Sequence, residues 1–276
     1  MAPHRRGPLK ASPDPVADGT SGSLGGRLAR LAGVLRSLVI YWRPGRQSGL
    51  RDLYRPFVHP NALVFDIGAH LGDRTRAFAA LGARVVALEP QPHLMPWLRI
   101  LVGRHPRVEV RGEAVGARAG TTTLAVSRRN PTVSSASESW RDTVGARPEF
   151  EGVSWEEAVT VRMTTLDRLI ERHGMPDFCK IDVEGFEAEV LAGLSHPLPA
   201  LSLEFVTGAL GSTLEALERL GALGDYRFNA VRGERRSFHF PGWQSASEVR
   251  GWLESGADGM PSGDLYARLE ARLPDG

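Results

Sequence analysis

The sequence holds a single cysteine, Cys179, in 276 residues. One thiol excludes an intramolecular disulfide and any cysteine-based zinc site. No apolar run approaches the roughly 20 residues that cross a bilayer; the longest, Leu31 to Trp42, is interrupted by Arg36. A charge surplus is also missing, with 34 basic residues against 32 acidic ones. That balance argues against non-specific nucleic-acid binding as the main activity, which needs a clear basic excess. Lysine is scarce: every basic residue except Lys10 and Lys180 is arginine. The eight histidines form no HxH or HExxH spacing, so no dedicated zinc site is expected. What is present is 42% hydrophobic and 24% charged, the balance of an ordinary globular protein. The length suits one large domain or two small ones, enough to bury a core without staples.

Residues 1–23 are rich in Pro, Gly, Ser and Asp and are expected to be disordered. Arg5-Arg6 superficially matches a twin-arginine export signal, but Ala11 to Gly26 lacks the apolar segment such a signal needs. A cytoplasmic protein is expected. Leu24, Leu28, Leu31, Leu35, Leu38 and Trp42 then recur at three- and four-residue steps, with Arg27, Arg30 and Arg36 between them. This is an amphipathic helix, expected to pack on the following domain or on a second copy in a homo-oligomer. Its basic polar face also suits contact with an anionic membrane surface through Leu24–Trp42. Pro44 and Gly45 end it, giving a tail over 1–23, a helical extension over 24–48 and one domain over 49–276.

From Leu63 onward strand and helix signals alternate. Strands are expected over Leu63–Ile67, Arg84–Glu89, Arg107–Arg111, Asp177–Asp182 and Ala200–Phe205. Helices are expected over Asp73–Leu81, Gln91–Gly103, Thr165–His173, Glu184–Leu194 and Ser212–Leu220, with Thr164 as an N-cap. This alternation implies an α/β doubly wound, mostly parallel sheet. Thr121–Val126 and Val159–Thr164 are β-like and flank a long polar segment, Ser127–Ala158. Tyr226–Val231 and Arg236–Phe240 read as a closing antiparallel pair.

The first strand runs into Asp66-Ile67-Gly68-Ala69-His70-Leu71-Gly72. A dinucleotide site would place a glycine where Asp66 stands, and its carboxylate repels a pyrophosphate. The second strand ends in Glu89, a residue type that accepts hydrogen bonds from both ribose hydroxyls. Together they describe a site for a nucleoside without phosphate at the carboxyl ends of adjacent parallel strands.

Three blocks carry a resemblance: Val64 to Gly72, Val86-Ala87-Leu88-Glu89-Pro90, and Lys180-Ile181-Asp182-Val183-Glu184-Gly185-Phe186-Glu187. With Thr164-Thr165-Leu166-Asp167 and Val133-Ser134-Ser135, the chain from Leu63 to Phe205 resembles the FkbM-family methyltransferases. Gly263 to Ala267 is similar, more weakly, to a terminal strand of some members. His70 stands where asparagine is common. The resemblance implies a class I methyltransferase fold with a seven-stranded sheet. It also implies S-adenosylmethionine as cofactor: a ribose, an ammonium and a sulfonium, with no phosphate.

By position, the resemblance places Asp66, Gly68, Ala69, His70 and Gly72 along the methionine end of the cofactor, and Glu89 with Pro90 at the ribose. Glu113-Ala114-Val115 would sit beside the adenine, Asp182 near the methyl group, and Ser134 and Ser135 in a substrate loop. The implied reaction is O-methylation of a hydroxyl on a sugar, other glycan or small metabolite. N- or C-methylation, or a non-catalytic binding module, are the alternatives. Removing the acceptor's proton calls for a base, with Asp182, Glu184 and Glu204 as candidates. A weak Mg²⁺ site on Asp182 and neighbouring carboxylates is the lesser expectation. Cys179 is expected to be a buried small hydrophobe, and Lys180 to be costly to bury unless Asp182 or Asp66 pairs with it.

Overall fold

The computed structural model describes residues 24–43, 45–127, 130, 133–145 and 152–270. The tail expected to be disordered lies outside them. Two helices lead in, α1 (Leu24–Tyr41) and α2 (Arg46–Tyr54). The α/β unit follows as β1 (Leu63–Ile67), α3 (Asp73–Ala80), β2 (Arg84–Leu88), α4 (Met95–Leu101) and β3 (Val108–Arg111). Next come β4 (Ala114–Val115), β5 (Gly120–Val126), α5 (Glu138–Gly145), β6 (Glu157–Thr164) and α6 (Leu166–His173). The chain continues through β7 (Phe178–Ile181), α7 (Glu187–Ala192), β8 (Ala200–Val206) and α8 (Gly211–Leu223). It closes with β9 (Tyr226–Arg232), α9 (Ala246–Glu254) and β10 (Ser262–Leu269).

Seven strands form one sheet in the order β3-β2-β1-β7-β8-β10-β9. All its pairings are parallel except those of β10, which runs antiparallel to both β8 and β9. This is the seven-stranded, mostly parallel sheet expected above. β1 and β7 are buried along their whole length, as strands covered on both faces must be. Alternate side chains of β1 enter opposite cores: Leu63, Phe65 and Ile67 pack with α6, α7, α8 and α9, whereas Val64 packs with α2 and α3. Topological reversal between β2–β1 and β1–β7 opens a crevice at the strands' carboxyl ends, the ligand-binding position of such sheets.

A second, three-stranded sheet, β4-β6-β5, carries the two β-like segments of the middle region. The polar segment between them contains the short helix α5, which its mixed composition did not announce. The α6 N-cap is Thr165, whose side chain accepts from the Arg168 N–H, rather than Thr164, which stays in β6 paired with Val115. The helix expected from Glu184 begins at Glu187, because Glu184 and Gly185 both have positive φ. Arg236–Phe240 is not a strand: β9 pairs with β10 instead.

Helix α1 docks through Val34, which packs with Leu71 and Leu94. Leu31, Leu35 and Val39 remain exposed. No helix among the described residues is long and apolar enough to cross a membrane. The break expected at residue 48 falls inside α2. Cys179 is fully buried in β7.

Candidate active site

Three turns meet at the carboxyl ends of β1, β2 and β7. After β1, the Gly68 and Ala69 N–H groups donate to the Leu88 carbonyl at 2.9 Å. Gly68 has φ +78°, and a Cβ there would lie 1.8 Å from the Asp182 carbonyl oxygen. Only glycine allows the β1 and β7 turns to come so close. His70 also adopts a positive φ, 51°. Asparagine and histidine tolerate that region better than most residues, which accounts for the exchange at this position.

Glu89 is fixed by its neighbours' backbone. Its two carboxylate oxygens accept from His70 N–H at 2.9 Å and Gln91 N–H at 2.8 Å. Burial nevertheless raises its pKa to about 7, against those two hydrogen bonds. Burial also lowers the His70 pKa to about 4, so its imidazole is neutral at physiological pH. His70 Nε2 is buried without a hydrogen-bond partner among the described residues.

Beneath the turns, Asp66 and Lys180 are register partners on β1 and β7. Lys180 Nζ lies 2.8 Å from Asp182 Oδ2 and 3.9 Å from Asp66 Oδ1. Burial opposes the ammonium charge, yet Asp182 and Asp66 hold its pKa above the ordinary lysine value. Burial opposes the charge on Asp182 too, but Lys180 and Arg74 bring its pKa below the ordinary aspartate value. Asp66 differs: burial outweighs Lys180 and the 2.5 Å hydrogen bond from Thr75 Oγ1, and its pKa is raised.

Past Asp182, the chain folds around Glu187. One Glu187 oxygen accepts from Val183 N–H at 3.3 Å and Gly185 N–H at 3.2 Å, and the other from Ser212 Oγ at 3.1 Å. Ser135 Oγ donates to the Glu184 carbonyl at 2.5 Å, tying the polar segment to this turn. Glu184, Asp182 and Glu204 of β8 each offer a carboxylate oxygen within 4.8 Å of the others. Such a trio offers oxygen ligands of the kind a divalent cation takes. Burial first, then Asp182 and Glu187, push the Glu184 pKa well above the ordinary carboxyl value. Burial and then Glu184 do the same to Glu204.

These groups line a cavity of about 490 Å³, within the roughly 300–1,000 Å³ usual for small-molecule sites. Gly68, Ala69, His70, Glu89, Pro90, Ser134, Asp182, Glu184 and Glu204 all lie on its wall. Asp66 and Gly72 do not. Asp66 is sealed beneath the wall against Thr75, and Gly72 N-caps α3 against Leu98 and Val102. Ser135 is buried behind Ser134. The Glu113-Ala114-Val115 segment also lies off the wall: Glu113 pairs with Arg111 at 2.5 Å, and β4 joins the second sheet. Tyr41, Arg74, Glu234 and Asp264 line the cavity without having been singled out from the sequence. Only Asp264 carried a signal, within the weak match to a terminal strand.

The chain matches the family model described as the Methyltransferase FkbM domain over residues 66–258. It belongs to that family. The FkbM-domain protein is therefore a methyltransferase dependent on S-adenosylmethionine. It is 25% identical over 177 residues to the hexuronic acid methyltransferase AglP of Haloferax volcanii, covering 62% of this chain and 67% of that one. Among solved structures it is similar to an O-methyltransferase from Bacillus cereus in complex with SAH: TM-score 0.46, 15% identity, 92% of this chain and 95% of that one. A TehB-like SAM-dependent methyltransferase from Corynebacterium glutamicum gives TM-score 0.46 at 12% identity, covering 89% and 100%.

The cavity's residues fit the cofactor. Among the described residues, seven acidic side chains and two cationic ones, Arg74 and Lys180, line its wall. That wall favours a ligand carrying ammonium and sulfonium charge over a pyrophosphate. Glu89, held by two backbone N–H groups, keeps further lone pairs for a ribose.

Proposed function

We propose that this FkbM-domain methyltransferase methylates a hydroxyl of a carbohydrate acceptor, with Glu184 as the base. The observation that carries the reading is the carboxylate trio Asp182, Glu184 and Glu204 on the cavity wall. The similarity to a hexuronic acid methyltransferase supports a sugar as acceptor.

When bound, the cofactor would supply an electrophilic methyl group on a sulfonium whose leaving group is a neutral thioether, so no acid is required for the leaving group. The chain's task is to hold the acceptor oxygen in line and take its proton. Glu89 and the neutral His70 occupy one side of the cavity, where Glu89 accepts the ribose hydroxyls. Asp182, kept ionised by Lys180, presents fixed negative charge to the cationic part of the ligand. Because Asp182 is committed to Lys180, it is a weak base. Glu184, with its pKa raised by burial and its acidic neighbours, binds a proton more strongly. In its ionised form Glu184 would take the hydroxyl proton as the methyl–oxygen bond forms and the methyl–sulfur bond breaks.

The direct test incubates the protein with methyl-labelled S-adenosylmethionine and a panel of neutral, amino and uronic-acid glycans. Label in an alkali-stable methyl ether is the expected result. Transfer only to nitrogen or carbon, or none to any glycan while small phenols are methylated, would overturn the reading.

A further inference from the structure

Of the two cations that the described residues place on the cavity wall, one is fully engaged. Lys180 has Asp182 at hydrogen-bonding distance, 2.8 Å. Arg74 has no hydrogen bond to any described residue. Its nearest carboxylates are Asp73 at 3.5 Å and Glu234 at 3.8 Å, beyond the usual 2.7–3.2 Å range. Both of those carboxylates are occupied by Arg46, at 3.2 Å from Asp73 and 2.5 Å from Glu234. Arg46 is itself held in place under the Tyr41 ring, 5.1 Å from its centroid.

Arg74 thus keeps a full set of donors on a side chain only 13% exposed. Its Nε is buried without a hydrogen-bond partner among the described residues. A guanidinium offers five N–H donors in one plane, and leaving buried donors unmade is unfavourable. Two coplanar oxygens satisfy the fork best, which is the geometry of a carboxylate. A phosphate dianion also presents oxygens, but among the described residues the wall carries only one cation besides Arg74, Lys180, and that one is already bonded to Asp182. A singly charged carboxylate is the anion this wall admits.

We propose that Arg74 is a carboxylate-binding residue of the cavity, forming a two-pronged hydrogen bond to a ligand. This rests on the cavity being the methyl-transfer site. Two ligands share that chemistry: the cofactor, through its methionine carboxylate, and a uronic-acid acceptor.

Arg74→Gln and Arg74→Lys separate the sources. Calorimetry compares S-adenosylhomocysteine with 5′-methylthioadenosine, which lacks the amino-acid end. With S-adenosylhomocysteine bound, saturation-transfer NMR then compares glucuronate with glucose. If the carboxylate is the cofactor's, Arg74→Gln weakens S-adenosylhomocysteine by 10- to 100-fold and leaves 5′-methylthioadenosine unchanged. If it is the acceptor's, both nucleosides bind normally and the glucuronate signal is lost while that of glucose is unaltered. Arg74→Lys, which keeps the charge but not the fork, should fall between wild type and Arg74→Gln, and it covers the case in which Arg74→Gln does not fold. Folded variants with normal affinity for S-adenosylhomocysteine and glucuronate would overturn the proposal and leave the methyl-transfer reading standing. Failure of both nucleosides to bind the unaltered protein would overturn the two together.

Discussion

Lys180 and Asp182 form a 2.8 Å ion pair across the end of β7, with the lysine side chain only 3% exposed. The pair spans two levels of the molecule, because the same ammonium also lies 3.9 Å from the sealed Asp66 below. Lys180→Met should leave two carboxylates without their counter-charge, at a cost of about 3–5 kcal/mol. Chemical denaturation at pH 7 measures this, and a loss below about 1 kcal/mol would show that the ammonium is dispensable. The deficit should shrink towards about pH 4, as the stranded carboxyls become protonated.

Glu184→Gln and Asp182→Asn should fail in different ways. The first removes the proposed base, so single-turnover methyl transfer should slow by about 10²–10⁴-fold, with cofactor affinity preserved within a few-fold. The second leaves Lys180 facing an amide and should weaken cofactor binding as well as rate. Normal rates in Glu184→Gln would move the base to Glu204.

Cofactor affinity should depend on pH through Glu89. Its pKa is about 7 against an ordinary 4.5. The sign for folding follows from the raised value: the contribution to stability is full below pH 4.5 and is lost as pH rises through 7. Binding runs the other way, since ribose hydroxyls donate to the ionised form. Titration with S-adenosylhomocysteine should give about tenfold tighter binding at pH 8 than at pH 6. Glu89→Gln should bind more weakly and flatten the dependence. An unchanged slope in that variant would assign the pH effect to another group.

Gly185→Ala tests the turn that carries Glu184. Gly185 has φ +83°, and a Cβ there would meet Trp140 Cγ at 2.1 Å. The substitution should dislodge α5 and the polar segment, giving faster proteolysis within residues 127–158 and reduced methyl transfer. Cofactor affinity through Glu89 should hold. Protease resistance equal to wild type would show that the contact between the turn and Trp140 is not needed to hold the segment.

Much of this architecture is legible in the sequence where local pattern and burial agree. Leu63–Ile67 and Arg84–Leu88 read as strands because, Asp66 apart, every position after the entry is apolar. The acidic residues at strand ends were readable for the same reason, since Glu89 and Asp182 each follow directly on a buried strand. What was not legible depends on distant partners. Phe238 and Phe240 alternate like a strand, but β9 finds its neighbour in β10, more than thirty residues on. Phe238 instead packs on Phe57 and Tyr266, and the Asn229 side chain holds the Phe240 N–H. Helices α2 and α9 are short and polar on most faces, so their few buried residues left little periodicity. Arg74 gave no signal because arginine is common in this chain, and its place on the wall follows from α3 packing against β1 and β2.

The position of β10 has a consequence for how the molecule is made. This strand comes after β9 in sequence yet lies between β8 and β9 in the sheet. Until residues 262–269 leave the ribosome, β8 has no partner on that side, and Glu204 stands on an open edge without Asp264 opposite it. The parallel half from β3 through β8 can assemble during synthesis, but the carboxylate trio is walled in only by insertion of a late strand. Truncation or stalling before that point should give a chain with an unpaired apolar edge, the form most prone to aggregate.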